Sequence, residues 1–599
     1  MKCKPAQLAL LIFLFSSLLS FAQEKAPTTK ELLEKHVKAL SATETAGRMP
    51  GSEGINIAKK YIIDEFKSAE IISLSPGGYS SDFEVIIKNK FLKEKSSLTF
   101  HDLNESKDII SESFFQPIFS SENTACKNRE VVFVGYGITD NKIQYDDYSD
   151  IDVKDKIVLM LRYDYNESIQ EKYTPSENAS WKSKFQLAKS KGAAAVILFN
   201  GFGSKLNGIK DTVQNQKYNF FLKDDDNKIH FIHAKQTFIS EIEKITKINF
   251  FEIQKGIDQN KKPNSFVLPK LKLSLDVNFD KNIVTTSNVV AFIPGADPEL
   301  KKEYIVIGAH YDHVGLGTFG SRTYINNSNT IHPGADDNAS GSSALIEIGK
   351  YLKTLKLKRS VLLIGFSAEE MGLFGSINFL KQNNKIINSI KAMINLDMIG
   401  NYRDFITVRV NGIDTSKDFR TIFESVPSNE LKFTYTLYSP ENGLSDHANF
   451  YAKNIPSVHY FTGFHERYHH PSDTADTINY EGLAKITQHA ANFAEKLCNW
   501  DGEILFNKEY TPKPLADPGI NCTTDNGHIK IISLDENFPG AKAGLKVGDL
   551  ILEIDHIPIK SVMDYFTQIR DYNAGSKIVF VISRETNSVT ETLEVTLNL

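Results

Sequence analysis

Five short clusters of His, Asp and Glu lie between residues 307 and 476, each where an apolar run gives way to a loop. Imidazoles and carboxylates are the ligands of catalytic zinc, and bound zinc lowers the pKa of a coordinated water from about 16 to about 7. The clusters therefore predict a hydrolytic centre with two zinc ions. They are GAHYDHVG at 308–315, GADDNASG at 334–341, SAEEMGLFGS at 367–376, NLDMIG at 395–400 and YHHPSDT at 468–474.

Neighbouring residues within a cluster offer a division of roles. Successive side chains of an extended segment point to opposite sides, so we assign Glu370 to metal and Glu369 to general base and acid catalysis. His310 is a metal ligand in this interpretation, and Asp312, on the same side of the chain, orients the ligands around it. The alternative is a buried His–Asp pair with a structural role only.

Asp337 and His469 are less clearly marked. An Asp-Asp-Asn run is commonly a turn or a helix cap, although a short carboxylate in a tight loop is able to face two metals. His469 and His470 are equivalent by spacing alone. Charge favours a metal site, because Asp337, Glu370 and Asp397 leave two zinc ions with a single positive charge, which a bridging hydroxide neutralises.

The elements that must position these clusters follow an α/β pattern. Apolar runs at 304–309, 361–366 and 393–396 are bulky enough for central strands, and the helix expected after Gly341 has one apolar face. In open α/β sheets, ligands bind beyond the carboxyl ends of the strands, where these clusters lie. We therefore predict a mixed, mostly parallel central sheet flanked by helices.

The 599 residues exceed one ordinary domain, and we expect three. A catalytic domain occupies 23–110 and 274–507, and a β-rich inserted domain at 111–273 interrupts it. A connector at 510–518 leads into a small α+β domain at 515–599. The net charge of −5 argues against nucleic acid as a partner, because counterion release needs a basic face.

Residues 1–22 read as a secretory signal peptide, in which Lys2 and Lys4 precede an apolar run that ends at Ser20-Phe21-Ala22. The run is shorter than the ~20 residues of a membrane span, which disfavours an uncleaved anchor. We expect export to the periplasm or the extracellular space, with no transmembrane anchor in the mature chain. At most one disulfide is expected among the remaining cysteines, which are Cys126, Cys498 and Cys522.

Residues 307–476 resemble the co-catalytic zinc exopeptidases. This family includes secreted bacterial leucine aminopeptidases, glutamate carboxypeptidases and the catalytically inactive transferrin receptors. The resemblance extends to the segment from Gly47-Arg48 to Phe66. The family's Tyr-His-x-x-x-Asp pattern fits residues 468–473, which favours His469 over His470.

The resemblance implies roles for individual residues. Tyr468 would donate to the oxyanion, and the peptide bond between Asp337 and Asn338 would be cis. Ser445-Asp446-His447 is similar to a family motif near the substrate, without a defined role. The implied ligand set is His310 and Asp397 for one zinc, Glu370 and His469 for the other, and Asp337 as the bridge.

Two other domains carry resemblances of their own. The inserted segment resembles the protease-associated domain at 134–137 and 191–197, and the C-terminal domain resembles PDZ modules at 540–552. A loop at 518–521 is similar to a PDZ carboxylate-binding loop, which makes a peptide C-terminus a candidate ligand. Because every assigned site residue precedes Asp476, we expect the C-terminal domain to be dispensable for the chemistry.

The expected function is that of a secreted zinc metalloprotease, an aminopeptidase in which Glu369 activates a hydroxide held between the metals. A carboxypeptidase or dipeptidase of the same family is the first alternative, since the metal site does not distinguish them. A catalytically inactive binding protein is the second, and the presence of all five ligands disfavours it. The sequence does not define the preferred N-terminal residue or the oligomeric state.

Overall fold

The computed structural model describes residues 30–102, 107–111, 115–119, 124–140, 144–162, 180–202, 220–223, 229–322, 329–403, 406–440, 445–525, 527–586 and 589–599. The signal peptide expected at 1–22 lies outside the described residues. Within those ranges, no helix has the length and apolar character needed to cross a bilayer. The chain forms two compact units, one of Met1–Asp82 with Thr286–Leu599 and one of Phe83–Thr285.

The α-helices of the described residues are α1 (Lys30–Leu40), α2 (Glu53–Ser68), α3 (Trp181–Ser190), α4 (Gln236–Thr246), α5 (Phe250–Asn260), α6 (Gly341–Lys353), α7 (Phe374–Gln382), α8 (Phe419–Glu424), α9 (His447–Tyr451), α10 (Tyr480–Asn499), α11 (Pro539–Lys542) and α12 (Val562–Ile569).

The strands are β1 (Ile72–Ser73), β2 (Ser80–Phe91), β3 (Ser97–Asp102), β4 (Lys107–Ser111), β5 (Phe115–Phe119), β6 (Thr124–Val134), β7 (Thr139–Asp140), β8 (Tyr145–Asp146), β9 (Ile157–Leu161), β10 (Ala195–Phe199), β11 (Phe221–Leu222), β12 (His230–Ala234), β13 (Ser265–Val277), β14 (Phe279–Ile293), β15 (Tyr304–His310), β16 (Ser360–Phe366), β17 (Ile390–Leu396), β18 (Val408–Asn411), β19 (Phe433–Thr436), β20 (Ser457–Phe461), β21 (Ile520–Asp525), β22 (His528–Leu534), β23 (Leu550–Ile554), β24 (Ile557–Pro558), β25 (Lys577–Thr586) and β26 (Val589–Asn598).

The first unit contains a central sheet in the order β14-β16-β15-β17-β20-β18-β19. Four neighbouring pairs are parallel, and β14–β16 and β18–β20 are antiparallel. Every residue of β16 is buried. In β15, Ile305 and Ile307 pack in one core cluster and Val306 in another, so both faces of the sheet are covered. The predicted fold class is confirmed.

The second unit contains a sheet in the order β4-β3-β13-β6-β9-β10-β12-β5. Its middle strands β6, β9, β10 and β12 run parallel, and the outer pairings are antiparallel. Helix α3 contacts β10, and α4 contacts β13. Leu159 and Ile197 are fully buried at its centre, which gives this unit a core of its own.

The C-terminal part of the first unit is a small antiparallel sheet in the order β21-β22-β23-β25-β26, with α11 and α12. Ile529, Ile551 and Phe580 are buried in its core. The connector before this sheet contacts both the C-terminal domain and the catalytic part of the unit. Leu515 forms a β-bridge to Asn573, and the side chain of Tyr510 donates to the carbonyl of Leu437.

Candidate active site

The carboxyl ends of three adjacent strands bring most of the predicted site residues together. Strand β15 ends at His310, β16 is followed by Glu369 and Glu370, and β17 is followed directly by Asp397. Because β15 is parallel to both of its neighbours, these ends lie at the same edge of the sheet. Asp337 approaches the same edge from the turn that precedes α6.

Asp337 lies between two groups of potential metal ligands. Its Oδ1 is 3.2 Å from His310 Nε2, which is also 3.2 Å from Asp397 Oδ1. Its Oδ2 is 3.1 Å from His469 Nε2, which is 2.9 Å from Glu370 Oε2. Each group is compact enough to hold a metal ion, and Asp337 belongs to both. The peptide bond from Asp337 to Asn338 is cis, as the resemblance implied.

The structure distinguishes His469 from its neighbour. His470 lies outside both ligand groups, and its Nδ1 is 2.7 Å from the hydroxyl of Ser472. His469 Nδ1 is 2.9 Å from the carbonyl of Gly320, which leaves Nε2 turned towards the site. Nε2 is buried, and although the Asp337 and Glu370 oxygens lie 3.1 and 2.9 Å away, neither contact has hydrogen-bond geometry. A buried ring nitrogen beside two carboxylates fits a metal ion.

His313 is a site residue that the sequence analysis did not assign. It is fully buried, and its Nδ1 lies 2.7 Å from Glu370 Oε1 and 3.7 Å from Asp337 Oδ2. It belongs to the same ligand group as His469. The signal was its position three residues after His310, in the loop that leaves the same strand.

Carboxylates dominate the electrostatics of this edge. Burial opposes a charge on His310, but Asp397 and Glu369 outweigh it and hold the pKa of His310 well above its usual range. Burial likewise opposes ionisation of Asp337, yet the surrounding imidazoles lower its pKa well below the usual value. A positively charged group is therefore favoured in the space between these imidazole and carboxylate side chains.

Glu369 lies in the same cavity as the ligands but belongs to neither ligand group. Burial, together with the charges of Glu370 and Asp397, holds the pKa of Glu369 well above its usual value. Asp312 is completely buried, and its Oδ1 and Oδ2 accept hydrogen bonds from the backbone amides of Glu369 and Glu370 at 3.1 and 3.4 Å. Asp312 thereby fixes the turn that contains both glutamates.

Tyr468 also lines the cavity, and its ring stacks on that of His469 with 3.9 Å between the centroids. Burial and nearby carboxylates hold the pKa of Tyr468 well above its usual value, so its hydroxyl keeps its proton and is able to donate. Six of the eight predicted site residues therefore line one cavity. Of the other two, His469 contacts Asp337 and Glu370, and Asp312 accepts from the backbone of both glutamates.

Arg48 supports the loops beneath the ligands. Its guanidinium is completely buried and donates to four backbone carbonyls at 2.6 to 2.8 Å. Burial lowers the pKa of Arg48 to about 10, although nearby carboxylates oppose the shift. The carbonyls belong to Leu40, Tyr311, Pro333 and Gly334, so Arg48 joins α1 to the loops of His310 and Asp337.

Asp473 holds the same turn from its other side. Its carboxylate accepts hydrogen bonds from the backbone amides of Asp336 and Asp337 at 3.0 to 3.1 Å. The Asp336 carboxylate in turn accepts from the backbone amide of Gly400 at 2.6 Å, and its Oδ2 lies 2.9 Å from His465 Nε2. These contacts orient Asp337 through its backbone and do not involve its carboxylate oxygens.

Ser445-Asp446-His447 lies behind the cavity. All three residues are buried, and Ser445 accepts a hydrogen bond from Asn395 at 2.7 Å. Burial raises the pKa of Asp446 to about 7. The cysteines do not pair within the described residues, where Cys126, Cys498 and Cys522 are free thiols.

The cavity adds a residue to those assigned from the sequence, all of which precede Asp476. Its wall includes Arg570, which follows α12 in the C-terminal domain. Arg570 lies there because the end of α12 packs against the loop after β20, the loop that leads to Tyr468 and His469.

Two contacts fix this packing. Arg409 on β18 donates to both carboxylate oxygens of Asp571, at 2.6 and 2.7 Å, and both side chains are buried. Phe464 and Thr567 form a reciprocal pair, because the Thr567 hydroxyl accepts from the Phe464 amide at 3.0 Å and donates to its carbonyl at 3.1 Å. Residues 567–571 are thus held on the catalytic part of the unit.

Comparisons with known proteins agree with this architecture. The sequence profile of peptidase family M28 matches residues 288–494, that of the PA domain residues 115–242, and that of the PDZ domain residues 516–597. The Escherichia coli (strain K12) protein YfbL is 31% identical over 229 residues, which are 33% of this chain and 67% of YfbL.

Two further relatives are named as aminopeptidases. Aminopeptidase YwaD of Bacillus subtilis (strain 168) is 28% identical over 194 residues, which are 30% of this chain and 38% of YwaD, so the chain spans less than half of that relative's length. The solved structure of an aminopeptidase from Aneurinibacillus sp. strain AM-1 aligns with 21% identity and a TM-score of 0.42, and the alignment covers 81% of this chain and 97% of that one. From the profile match and the likeness to YfbL, we conclude that the chain belongs to peptidase family M28 and also carries a PA domain and a PDZ domain.

Proposed function

We propose that the protein is an exported, zinc-dependent aminopeptidase with two metal ions. The observation that carries this proposal is the position of Asp337, whose two carboxylate oxygens face two separate His–carboxylate groups. Three protein ligands of His and carboxylate type per zinc, with the fourth position left to solvent or substrate, are typical of catalytic zinc. The names of YwaD and of the Aneurinibacillus enzyme support the choice of aminopeptidase.

The residues of the site fit two zinc ions. His310, Asp337 and Asp397 would hold one ion, and Asp337, Glu370 and His469 the other, with His313 beside the second group. Bound zinc supplies a polarised scissile carbonyl and a water of lowered pKa.

The remaining roles belong to the chain. Glu369 would take a proton from the attacking water at its carboxylate and return it to the leaving amine. Tyr468 would donate its hydroxyl proton to the oxygen that becomes negative, which stabilises the transition state. Asp312 would keep Glu369 and Glu370 in their separate positions.

An assay on paired substrates tests this function. Purified protein is given leucine p-nitroanilide, a free-amine tripeptide and the same tripeptide acetylated at its N-terminus, each with and without chelator. We expect cleavage of the first two only, abolished by chelator and restored by zinc. Cleavage of the acetylated peptide from its C-terminus would instead support the carboxypeptidase alternative, and zinc-loaded protein that cleaves none of them would support a binding protein.

The C-terminal domain would bind the C-terminus of a peptide. Strand β21 lies at the edge of its sheet and contacts α12, so the outer backbone groups of the strand face the position where PDZ modules add a peptide strand. Gly519 precedes the strand with a φ of 72°, in the loop at 518–521. Fluorescence anisotropy with peptides that have a free or an amidated C-terminus tests this binding. Only the peptide with a free carboxylate is expected to bind. The signal peptide and export belong to the same proposal.

A further inference from the structure

Arg570 brings a positive charge from the C-terminal domain into the peptidase cavity. It is the residue directly after α12, and it shares the cavity wall with His310, Glu369 and Asp397. The cavity is small, at about 60 Å³. A substrate that fills this cavity would therefore adjoin both the ligand groups and Arg570.

The position of Arg570 is fixed from two sides. Thr567, three residues before it, exchanges two hydrogen bonds with Phe464, and Asp571, directly after it, forms the paired hydrogen bonds with Arg409. The guanidinium carbon of Arg570 also lies 5.4 Å from the centre of the Tyr438 ring, which lines the same cavity. The two neighbouring contacts fix the backbone around Arg570, and the Tyr438 ring borders its guanidinium, which reduces the freedom that the cation loses when it binds a ligand.

The chemistry of the cavity defines what this cation recognises. A substrate that places its amino group among Glu369 and the ligand carboxylates would have that positive group repelled by Arg570. A guanidinium binds a carboxylate through two parallel hydrogen bonds, which makes a carboxylate its preferred partner. In a short substrate, that carboxylate belongs either to an acidic N-terminal side chain or to the C-terminus of a dipeptide.

We propose that Arg570 is a specificity-determining residue of the peptidase site, and that it receives a carboxylate of the substrate. The PDZ domain then completes the substrate pocket, in addition to the peptide binding proposed for it above. This inference rests on the proposed aminopeptidase function, and it adds the substrate class.

Two pairs of substrates test the proposal with zinc-loaded, full-length protein. Glutamate and leucine p-nitroanilide differ in a side-chain carboxylate, and Leu-Gly and Leu-Gly-amide differ in a C-terminal one. Arg570→Ala and Arg570→Lys are compared with Lys542→Ala, which removes an exposed positive charge of the same domain outside the cavity.

We expect Arg570→Ala to lower the kcat/KM ratio of carboxylate to neutral substrate by about tenfold or more in one pair, mainly through KM. Arg570→Lys should recover part of that ratio, and Lys542→Ala should change neither ratio by more than about twofold. The pair that responds identifies the source of the carboxylate. Ratios that stay within about twofold in Arg570→Ala for both pairs would overturn the proposal.

A binding measurement separates this proposal from the function on which it rests. If wild-type protein cleaves none of the four substrates, the proposed function fails. Calorimetry with Leu-Gly and Leu-Gly-amide, and with glutamate and leucine, is then performed on zinc-loaded wild type and Arg570→Ala. A preference for the carboxylate ligand that disappears with Arg570 supports its role, and equal binding by both proteins overturns it.

Discussion

The buried carboxylate of Asp312 accepts a hydrogen bond from the backbone amide of Glu369, with 3.1 Å between Oδ1 and the nitrogen. This contact makes Asp312 a positioning residue, because it acts on the turn and not on the reacting atoms. The other carboxylate oxygen lies 3.4 Å from the amide of Glu370. Loss of the carboxylate would therefore release both glutamates.

We predict that Asp312→Ala lowers kcat by about 10- to 100-fold, because Glu369, the proposed general base, and Glu370, a proposed metal ligand, lose their common support. Asp312→Asn keeps one oxygen as an acceptor and should lose less. Zinc content measured on the same samples separates poor positioning from loss of metal. Equal kcat values for wild type and Asp312→Ala would show that the turn keeps its conformation without the Asp312 carboxylate.

Arg48 provides a prediction on stability. Arg48→Met should reduce the free energy of unfolding by about 3 kcal/mol or more, because four buried carbonyls lose their donors. Urea denaturation measures the loss, and Arg48→Lys should retain part of the stability. Lys60→Ala is the matched control, since Lys60 belongs to an exposed pair with Asp64 and should cost no more than about 0.5 kcal/mol. A loss in Arg48→Met no larger than in the control would contradict this account.

The lowered pKa of Glu65 predicts that the stability of the folded protein depends on pH. Burial alone would raise the pKa of Glu65, but hydrogen bonds from Lys35 and Lys350 outweigh it and lower the pKa from 4.5 to about 2. Because the folded pKa is the lower one, the contribution is present above pH 4.5 and is lost as the pH falls towards 2.

We therefore expect Glu65→Gln to be less stable than wild type by about 1 kcal/mol at pH 7, a value reduced by solvent screening of the lysines. The difference should shrink steadily between pH 4.5 and pH 2. Thermal unfolding across this range measures it. A difference that stays constant with pH would assign the effect to packing.

The Arg409–Asp571 pair should behave as one unit. Asp571→Ala leaves a buried guanidinium without its carboxylate and is expected to cost about 3 kcal/mol or more. The double variant Arg409→Met/Asp571→Leu removes both charges and should cost less than either single change. Urea denaturation of wild type, Arg409→Met, Asp571→Leu and the double variant forms the cycle, and additive single effects would show that the pair is not coupled.

Local sequence predicts the fold of the catalytic domain well, because its central strands are apolar on both faces. Three of the proposed ligands, His310, Glu370 and Asp397, lie at or soon after strand ends. The three predicted central strands occur as β15, β16 and β17, extended by one to three residues. The different roles of Glu369 and Glu370 were expected from the alternation of an extended segment, whereas the structure places both residues in a turn held by Asp312. The choice of His469 over His470 needed the family resemblance, since spacing alone treats them alike.

The other features of the site depend on contacts between distant residues, which local sequence patterns do not reveal. His313 follows His310 in the same loop, and nothing in that spacing shows that its ring reaches Glu370. Asp473 acts through backbone amides 136 and 137 residues away. Arg570 enters the cavity because α12 packs on the loop after β20, a contact fixed by a pair 162 residues apart in sequence.

The central claim is that Asp337 joins two zinc ions. Anomalous diffraction at the zinc edge, from crystals of protein equilibrated with zinc, tests it most directly. We predict two peaks, one on each side of the Asp337 carboxylate, the first beside His310 and Asp397 and the second beside Glu370 and His469. A single peak, or two peaks that do not share Asp337, would contradict this account.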